Sequence, residues 1–382
     1  MKTSVDNKRL KLAILIRHFN SSGGGAERYC VELTKKLAKI HEVHVFTQHN
    51  HESLPDVAIH QIPKWFKRPR YLNQLLFSYL TKRATQGKFD IVHSHDTVTH
   101  ANIYTLHVLC FKTKWTQAKG LRKLLRWSST LVSPRKLAYL WLEKQEMRPS
   151  SNRHFISVSH YLSGNLIDNY VEIGPHITIA YPGIHPKDAG RTEATPLAIR
   201  KSLPNNAFLL LFVANDFSKK GLDTVLSALT LANQSHIHLV IAGSGDQDAL
   251  IIPQDLQKRV HFLGVITDMA GLYQNTDALI HPTLIDTYGM VVLEAMSEKL
   301  PVIVSNKNYC GVSEHLTSQE ALILENPRDA KELSEKILLL LNENIRQNIA
   351  EYGFQKSQKI TWDNTLKQTL KAYQKINFTN KE

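Results

Sequence analysis

Short apolar runs recur along the chain, each closed by polar or glycine-rich residues and followed by a helical pattern. Leu10-Lys-Leu-Ala-Ile-Leu-Ile16 is the first; Asn20-Ser-Ser-Gly-Gly-Gly25 follows, then an amphipathic stretch from about Ala26 to Lys39. Glu42–Phe46, Phe89–His93 and His154–Val158 are further strand-like runs. The second half repeats the grammar at Phe208–Val213, His238–Ala242, Val260–Leu263, Ala278–Ile280 and Val302–Val304. Helical patterns separate these runs, at Leu222–Leu231 and Val291–Glu298 among others, and helical patterns close the chain from Ala330. Apolar runs this short are strands, and alternation with helices predicts parallel sheets with crossover connections. The expectation is an α/β chain of two doubly wound domains facing a cleft. Their boundary is expected at Tyr181-Pro-Gly-Ile-His-Pro186, a turn-rich stretch, which gives domains of 1–180 and 181–360. In such sheets ligands bind beyond the carboxyl ends of the strands.

Length supports two domains, because 382 residues exceed one ordinary core. With 42% hydrophobic and 21% charged residues the chain is globular in composition, which excludes disordered and fibrous classes. No stretch approaches the roughly 18 uncharged apolar residues of a membrane span, and Leu12–Ile16 is too short for a signal-peptide core. A cytoplasmic protein is therefore expected. Cys30, Cys110 and Cys310 are odd in number and far apart, so neither a disulfide framework nor a zinc motif is expected.

Charge changes the picture once it is divided. Residues 1–180 hold 27 Lys and Arg against 12 Asp and Glu, whereas 181–382 hold 20 against 22. All the excess positive charge lies in the first half, which implies a polyanionic partner: nucleic acid, an anionic membrane face or a phosphorylated substrate.

Candidate chemistry sits after the strands. Thr283-Leu-Ile-Asp-Thr-Tyr-Gly-Met-Val-Val-Leu-Glu-Ala-Met296 runs from a strand end into a helix expected to begin near Tyr288–Gly289. A helix amino terminus there offers free N–H groups to a phosphate, with Asp286 before it and Glu294 in its second turn. Taken alone, Asp286 fits a helix cap and Glu294 a solvated residue equally well. Lys219 and Lys220, at the end of Phe212-Val-Ala-Asn-Asp-Phe-Ser-Lys-Lys-Gly221, can neutralise a diphosphate and stabilise it as a leaving group, or form a solvated turn. Gly23-Gly24-Gly25 before a helix permits close backbone approach to a phosphate; it is neither GxGxxG nor a Walker loop, so nicotinamide and ATP sites are poorly supported. His93-Ser-His95-Asp96 and His107 follow strand-like runs, where an imidazole can hydrogen-bond a hydroxyl.

The acid at 286, the Gly and Leu-Glu-Ala-Met to 296 and the following Leu-Pro-Val-Ile resemble the donor motif of the retaining glycosyltransferases of family 4, which have the GT-B fold of two Rossmann-like domains. The usual motif begins with Glu; this chain has Asp286. Asp-Phe-x-x-Lys-Gly221, with a lysine pair before the glycine, resembles the lipopolysaccharide core glucosyltransferases, which carry Arg-Lys there. The resemblance spans roughly the whole chain and implies the following roles. Domain 181–360 binds the nucleotide sugar, and 1–180 the acceptor, with the closing helix of 361–382, starting at Trp362, packed back on it. Glu294 holds the ribose, Asp286 lies against the transferred sugar, and Lys219 and Lys220 face the diphosphate with Tyr288, Gly289 and Met290. Gly23, Gly24 and Gly25 close over the diphosphate, and the backbone at Val265 reads the base. His107, with Asp96, lies beside the reacting sugar. No cofactor or metal is expected, because Asp246-Gln-Asp248 occupies a turn that needs none in the family, and two carboxylates are too few for an all-protein magnesium site.

The basic half fits this scheme. Residues 63–83 and 112–148, above all Lys119-Gly-Leu-Arg-Lys-Leu-Leu-Arg-Trp127, mix cations with aromatics, as helices on anionic membranes do and as base-stacking surfaces do. A membrane-embedded anionic glycolipid acceptor accounts for both halves, while nucleic acid leaves the sugar motifs unexplained. The expected activity is transfer of a hexose, best matched by UDP-glucose, to a lipopolysaccharide core or similar glycolipid at the inner face of the membrane. GDP-mannose, UDP-N-acetylglucosamine and a non-catalytic membrane- or nucleic-acid-binding role are the alternatives.

Overall fold

A computed structural model describes residues 9–113, 130, 132–186, 200, 202–247 and 250–376. The chain divides into two units, Met1–Pro182 with Trp362–Glu382, and Gly183–Thr361. Lys119–Trp127, the clearest of the basic stretches, and Asp248 lie outside the described residues.

The sheet of the first unit has seven parallel strands, β1 (Lys11–Leu15), β3 (Glu42–Thr47), β5 (Val57–Gln61), β6 (Ile91–Ser94), β7 (Ile103–Leu106), β8 (His154–Ser157) and β9 (Ile177–Ile179). They lie in the order β5-β3-β1-β6-β7-β8-β9, with Leu15 opposite both Phe46 and Ser94. Two residues each from β2 (His18–Phe19) and β4 (His49–Asn50) pair beyond the carboxyl ends of β1 and β3. Four of the five residues of β1 are buried, as expected of a strand covered on both faces. Helices α1 (Gly25–Leu37), α2 (Arg70–Thr85), α3 (Pro134–Glu146) and α4 (His160–Asn169) belong to this unit.

The second unit holds β10 (Phe208–Val213), β11 (Ile237–Ala242), β12 (Val260–Gly264), β13 (Ala278–His281), β14 (Val302–Ser305) and β15 (Leu322–Leu324), parallel in the order β12-β11-β10-β13-β14-β15. Its helices are α5 (Leu222–Ala232), α6 (Met269–Gln274), α7 (Met290–Ser297), α8 (Ala330–Leu339) and α9 (Glu343–Ser357). The core packs Leu210 and Phe212 of β10 against Val225 and Leu229 of α5 and Ile337 of α8. Counted within each unit, the strand order is 3-2-1-4-5-6, the Rossmann order, and the first unit adds a seventh strand. The order reverses between β1 and β6 and again between β10 and β13.

Helix α10 (Trp362–Tyr373) returns to the first unit. Trp362 is buried and meets Tyr29 of α1 edge-on at 5.6 Å, and Tyr29 donates to the Ala180 carbonyl at 3.1 Å. Thr365 donates to the Tyr181 carbonyl at 2.6 Å, which ties the helix to the end of the sheet.

Candidate active site

At the reversal point of the second unit, the loop after β10 lies against the loop after β13. Gly221 makes this possible: its φ is +82°, and a Cβ there would stand 2.2 Å from the Pro282 carbonyl oxygen. Leu284 N–H donates to the Lys219 carbonyl at 2.9 Å and closes the two loops together. The adjacent lysines then diverge. Lys219 turns out to an exposed pair with Asp216, while Lys220 turns in to Asp286. Their side chains are 67% and 22% exposed, so only the second cation is partly withdrawn from water.

Asp286 is held on every side. Its N–H donates to the Tyr309 carbonyl at 2.7 Å, and its carbonyl accepts from Gly311 at 3.1 Å. Its Oδ1 accepts the Tyr288 N–H at 3.2 Å, and its Oδ2 meets Lys220 and, at 3.0 Å, Nε2 of His281. Burial alone would raise this carboxyl, but the Lys220 ammonium and the His281 hydrogen bond outweigh it and hold it well below the usual range. Burial keeps His281 neutral, with its value lowered. Its Nδ1 has no hydrogen-bond partner among the described residues.

Gly289 then turns the chain into α7 at φ +97°, and a Cβ on it would come within 2.7 Å of Cys310 Sγ. The Cys310 thiol donates to the Tyr288 carbonyl at 3.4 Å. Tyr288 is buried, and Met290 and Val291, at the open amino end of α7, are partly exposed. Glu294, one turn on, accepts from the Tyr273 hydroxyl of α6 at 2.9 Å. An ammonium, a fixed carboxylate, a helix amino terminus and a second, oriented carboxylate thus belong to one loop system, which suits a diphosphate and a polyol. Val265 is 71% exposed after β12, beyond Gly264 at φ +67°, and the Gly243 N–H donates to the Gly264 carbonyl at 2.7 Å. Asp246 is exposed in the turn after β11. Among the described residues, the group that could hold a metal is His281, Asp286 and Cys310.

The first unit carries a matching pair at its own reversal point. Asp96, after β6, takes the backbone N–H of Arg17 at 2.7 Å and Nε and Nη2 at 2.9 Å each. Both carboxylate oxygens are therefore committed to the residue just beyond β1. Gly23, Gly24 and Gly25 are exposed, and Gly24 caps α1. Glu27 leans over them: its Oε2 lies 2.8 Å from the place of a Cβ on Gly24.

His107 ends a stack of three imidazoles. Nε2 of His107 lies 3.1 Å from Nδ1 of His95, whose ring stacks on His93 at 4.6 Å. His93 is fixed between Thr105 at 2.7 Å and the Tyr373 hydroxyl of α10 at 2.8 Å. Burial lowers all three: His93 to about 3, His107 to about 4, and His95 well below its ordinary value. His107 is partly exposed and neutral at pH 7, so it acts there as a hydrogen-bonding group and not as a cation.

Arg17, His281, Tyr273 and Cys310 are the partners that sequence reasoning missed. Arg17 and His281 had a signal, since each is the first polar residue where an apolar strand run ends. Tyr273 and Cys310 had none, because their positions depend on packing between distant segments.

Two Rossmann-like units of this strand order give the chain the fold of the GT-B glycosyltransferases. Residues 197–356 match the family profile "Glycosyl transferases group 1", and residues 23–188 match "Glycosyltransferase Family 4". The two profiles mark the chain as a glycosyltransferase with a group 1 domain and a family 4 domain. It is similar to an uncharacterized glycosyltransferase of Methanocaldococcus jannaschii, 23% identical over 92% of this chain and 94% of that one. It is also similar to the lipopolysaccharide glucosyltransferase WaaG of Escherichia coli, 23% identical over 84% of this chain and 87% of that protein. The crystal structure of a WaaG superposes with a TM-score of 0.79 at 20% identity, covering 96% of this chain and 99% of that one. Anabaena HepE in complex with UDP-glucose gives a TM-score of 0.70 at 17% identity over 96% of this chain and all of that one.

Proposed function

We propose that the chain is a retaining hexosyltransferase that moves glucose from UDP-glucose to the core of lipopolysaccharide or a similar anionic membrane glycolipid. The observation that carries this is the Lys220–Asp286–His281 constellation beside the amino end of α7, with Glu294 oriented by Tyr273. The sugar C1–O bond to the diphosphate breaks as the acceptor oxygen bonds to C1 from the same face, and the acceptor's hydroxyl proton passes to the departing phosphate oxygen. Lys220 and the α7 terminus stabilise the departing charge, Lys219 adds a more distant cation, and Asp286 accepts from sugar hydroxyls. Glu294 accepts from the ribose. No metal takes part, because an ammonium and a helix terminus supply the positive charge.

The names of relatives favour this donor and acceptor: WaaG is a lipopolysaccharide glucosyltransferase, and HepE binds UDP-glucose. The surface of the first unit favours a membrane-held acceptor. Trp65, Tyr79, Leu137 and Trp141 are exposed among Lys64, Lys67, Arg68, Arg83 and Lys136, a mixture that suits an anionic bilayer. Among the described residues, no helix is long and apolar enough to cross a membrane.

A panel of UDP- and GDP-sugars, scored by nucleotide release with and without deacylated core oligosaccharide, tests the reading. Release from UDP-glucose that depends on the acceptor and persists in a chelator is the expected result. Preference for GDP-mannose or UDP-N-acetylglucosamine refutes the donor assignment, and no melting shift with any nucleoside diphosphate refutes the transferase site.

A further inference from the structure

We propose that His281, Asp286 and Cys310 form a binding site for one soft or borderline divalent cation of the zinc and cadmium class, and that this cation competes with the Lys220 ammonium for the Asp286 carboxylate. Each residue offers one ligand atom, and the three atoms lie within 4.8 Å of one another. An imidazole nitrogen, a thiolate and a carboxylate oxygen form a donor set that selects zinc-like ions over magnesium.

The backbone holds this set together. Asp286 and Cys310 face each other across an isolated parallel bridge, and the Asp286 N–H and carbonyl are hydrogen-bonded to the residues on either side of Cys310. His281 closes β13 and is already 3.0 Å from Asp286 Oδ2. His281 and Cys310 are buried, while the Asp286 side chain is 18% exposed, so a cation enters from the carboxylate side. Three protein ligands leave the fourth position of a tetrahedral ion to water.

Coordination releases the thiol proton of Cys310 to solvent as the sulfur–metal bond forms. The proton on His281 Nε2 moves to Nδ1, which has no partner to lose among the described residues. Tyr288 gives up the thiol donor on its carbonyl and keeps the Val312 N–H at 2.6 Å. Lys220 is displaced and turns to solvent. The effect on activity, reversible inhibition relieved by a chelator, rests on the donor site proposed above; the binding itself does not.

The test is titration of the reduced full-length chain with cadmium chloride, followed by the ultraviolet charge-transfer absorption of a cadmium thiolate. The expected result is a saturable band at one equivalent that is lost in Cys310→Ser and weakened in His281→Gln. The band is kept in the Cys30→Ser/Cys110→Ser variant, whose thiols are buried in the other unit. Lys220→Met removes the competing charge and should tighten binding about tenfold or more, a gain that misfolding cannot mimic. Magnesium chloride should leave the titration unchanged. No band in the native chain, or a band that survives Cys310→Ser in folded protein, overturns the proposal. Should the band behave as stated while no nucleotide sugar binds, the donor site is wrong and the metal site stands.

Discussion

The buried imidazole stack should cost the first unit stability as the pH falls from 7 to 5. His93, His95 and His107 are neutral in the fold, with values lowered by burial to about 3 for His93, to about 4 for His107, and well down for His95. A group whose folded value is depressed gives stability that is present above its unfolded pKa, here about 6.5, and is lost as the pH falls from there toward the folded value. At pH 5 each unfolded histidine gains about 2 kcal/mol by binding a proton that the folded one refuses. The folded values of His93 and His107 lie below pH 5, so for these two the figure hardly depends on them. Those two groups lose about 4 kcal/mol, a large part of the whole stability of a typical domain, and His95 acts in the same direction. Glu143 and Glu146, raised chiefly by burial in the same unit, act in the opposite direction, so a variant must be compared with the parent chain. All five tryptophans, at 65, 115, 127, 141 and 362, belong to this unit, and their fluorescence follows its unfolding alone. In urea melts at pH 7 and pH 5, His93→Gln should lose about 2 kcal/mol less than the parent between the two conditions. Equal losses, within about 0.5 kcal/mol, would refute the claim that burial keeps His93 uncharged.

Lys220→Met should lower turnover by about 10²- to 10³-fold, the usual cost of one preorganised charge at a developing anion, whereas Lys219→Met, on an exposed pair, should cost under about tenfold; initial rates of nucleotide release separate them. Glu294→Gln should raise the donor KM by about tenfold or more with little change in kcat, and Tyr273→Phe, which removes one hydrogen bond to Glu294, should do the same more weakly. Gly289→Ala must adopt φ +97° with its Cβ 2.7 Å from Cys310 Sγ, and should lower stability by about 1–3 kcal/mol in chemical denaturation.

The sequence was most legible where one physical cause acts alone. Phe208–Val213 reads as a central strand because six apolar residues in a row must be covered on both faces, and the strand spans those residues. Val57–Gln61 escaped because it is an edge strand with only partly buried alternate residues, and Ile177–Ile179 and Leu322–Leu324 are three residues each, too short to show a period. The helix start near Tyr288–Gly289 was visible in the glycine that now turns into it. Lys219 and Lys220 looked equivalent by charge; only the loop geometry, set by Gly221 against Pro282, sends one to Asp286 and the other to Asp216. The stack from His93 to His107 was half legible: the imidazoles were seen at strand ends, but not the hydroxyl of Tyr373, 280 positions away, that fixes the first of them.

That last contact sets an order of assembly. During synthesis the second unit, continuous from Gly183 to Thr361, has its complete sequence while the first still lacks Trp362 and Tyr373. The part of the chain that leaves the ribosome first is thus the part that must wait: Tyr29 stays without its indole neighbour, and His93 without its hydroxyl, until the last helix emerges. Premature termination near residue 361 would spare the second unit and leave the first without the helix that packs on β8, β9 and α1, which makes α10 a lock that closes the first unit only after the second is made.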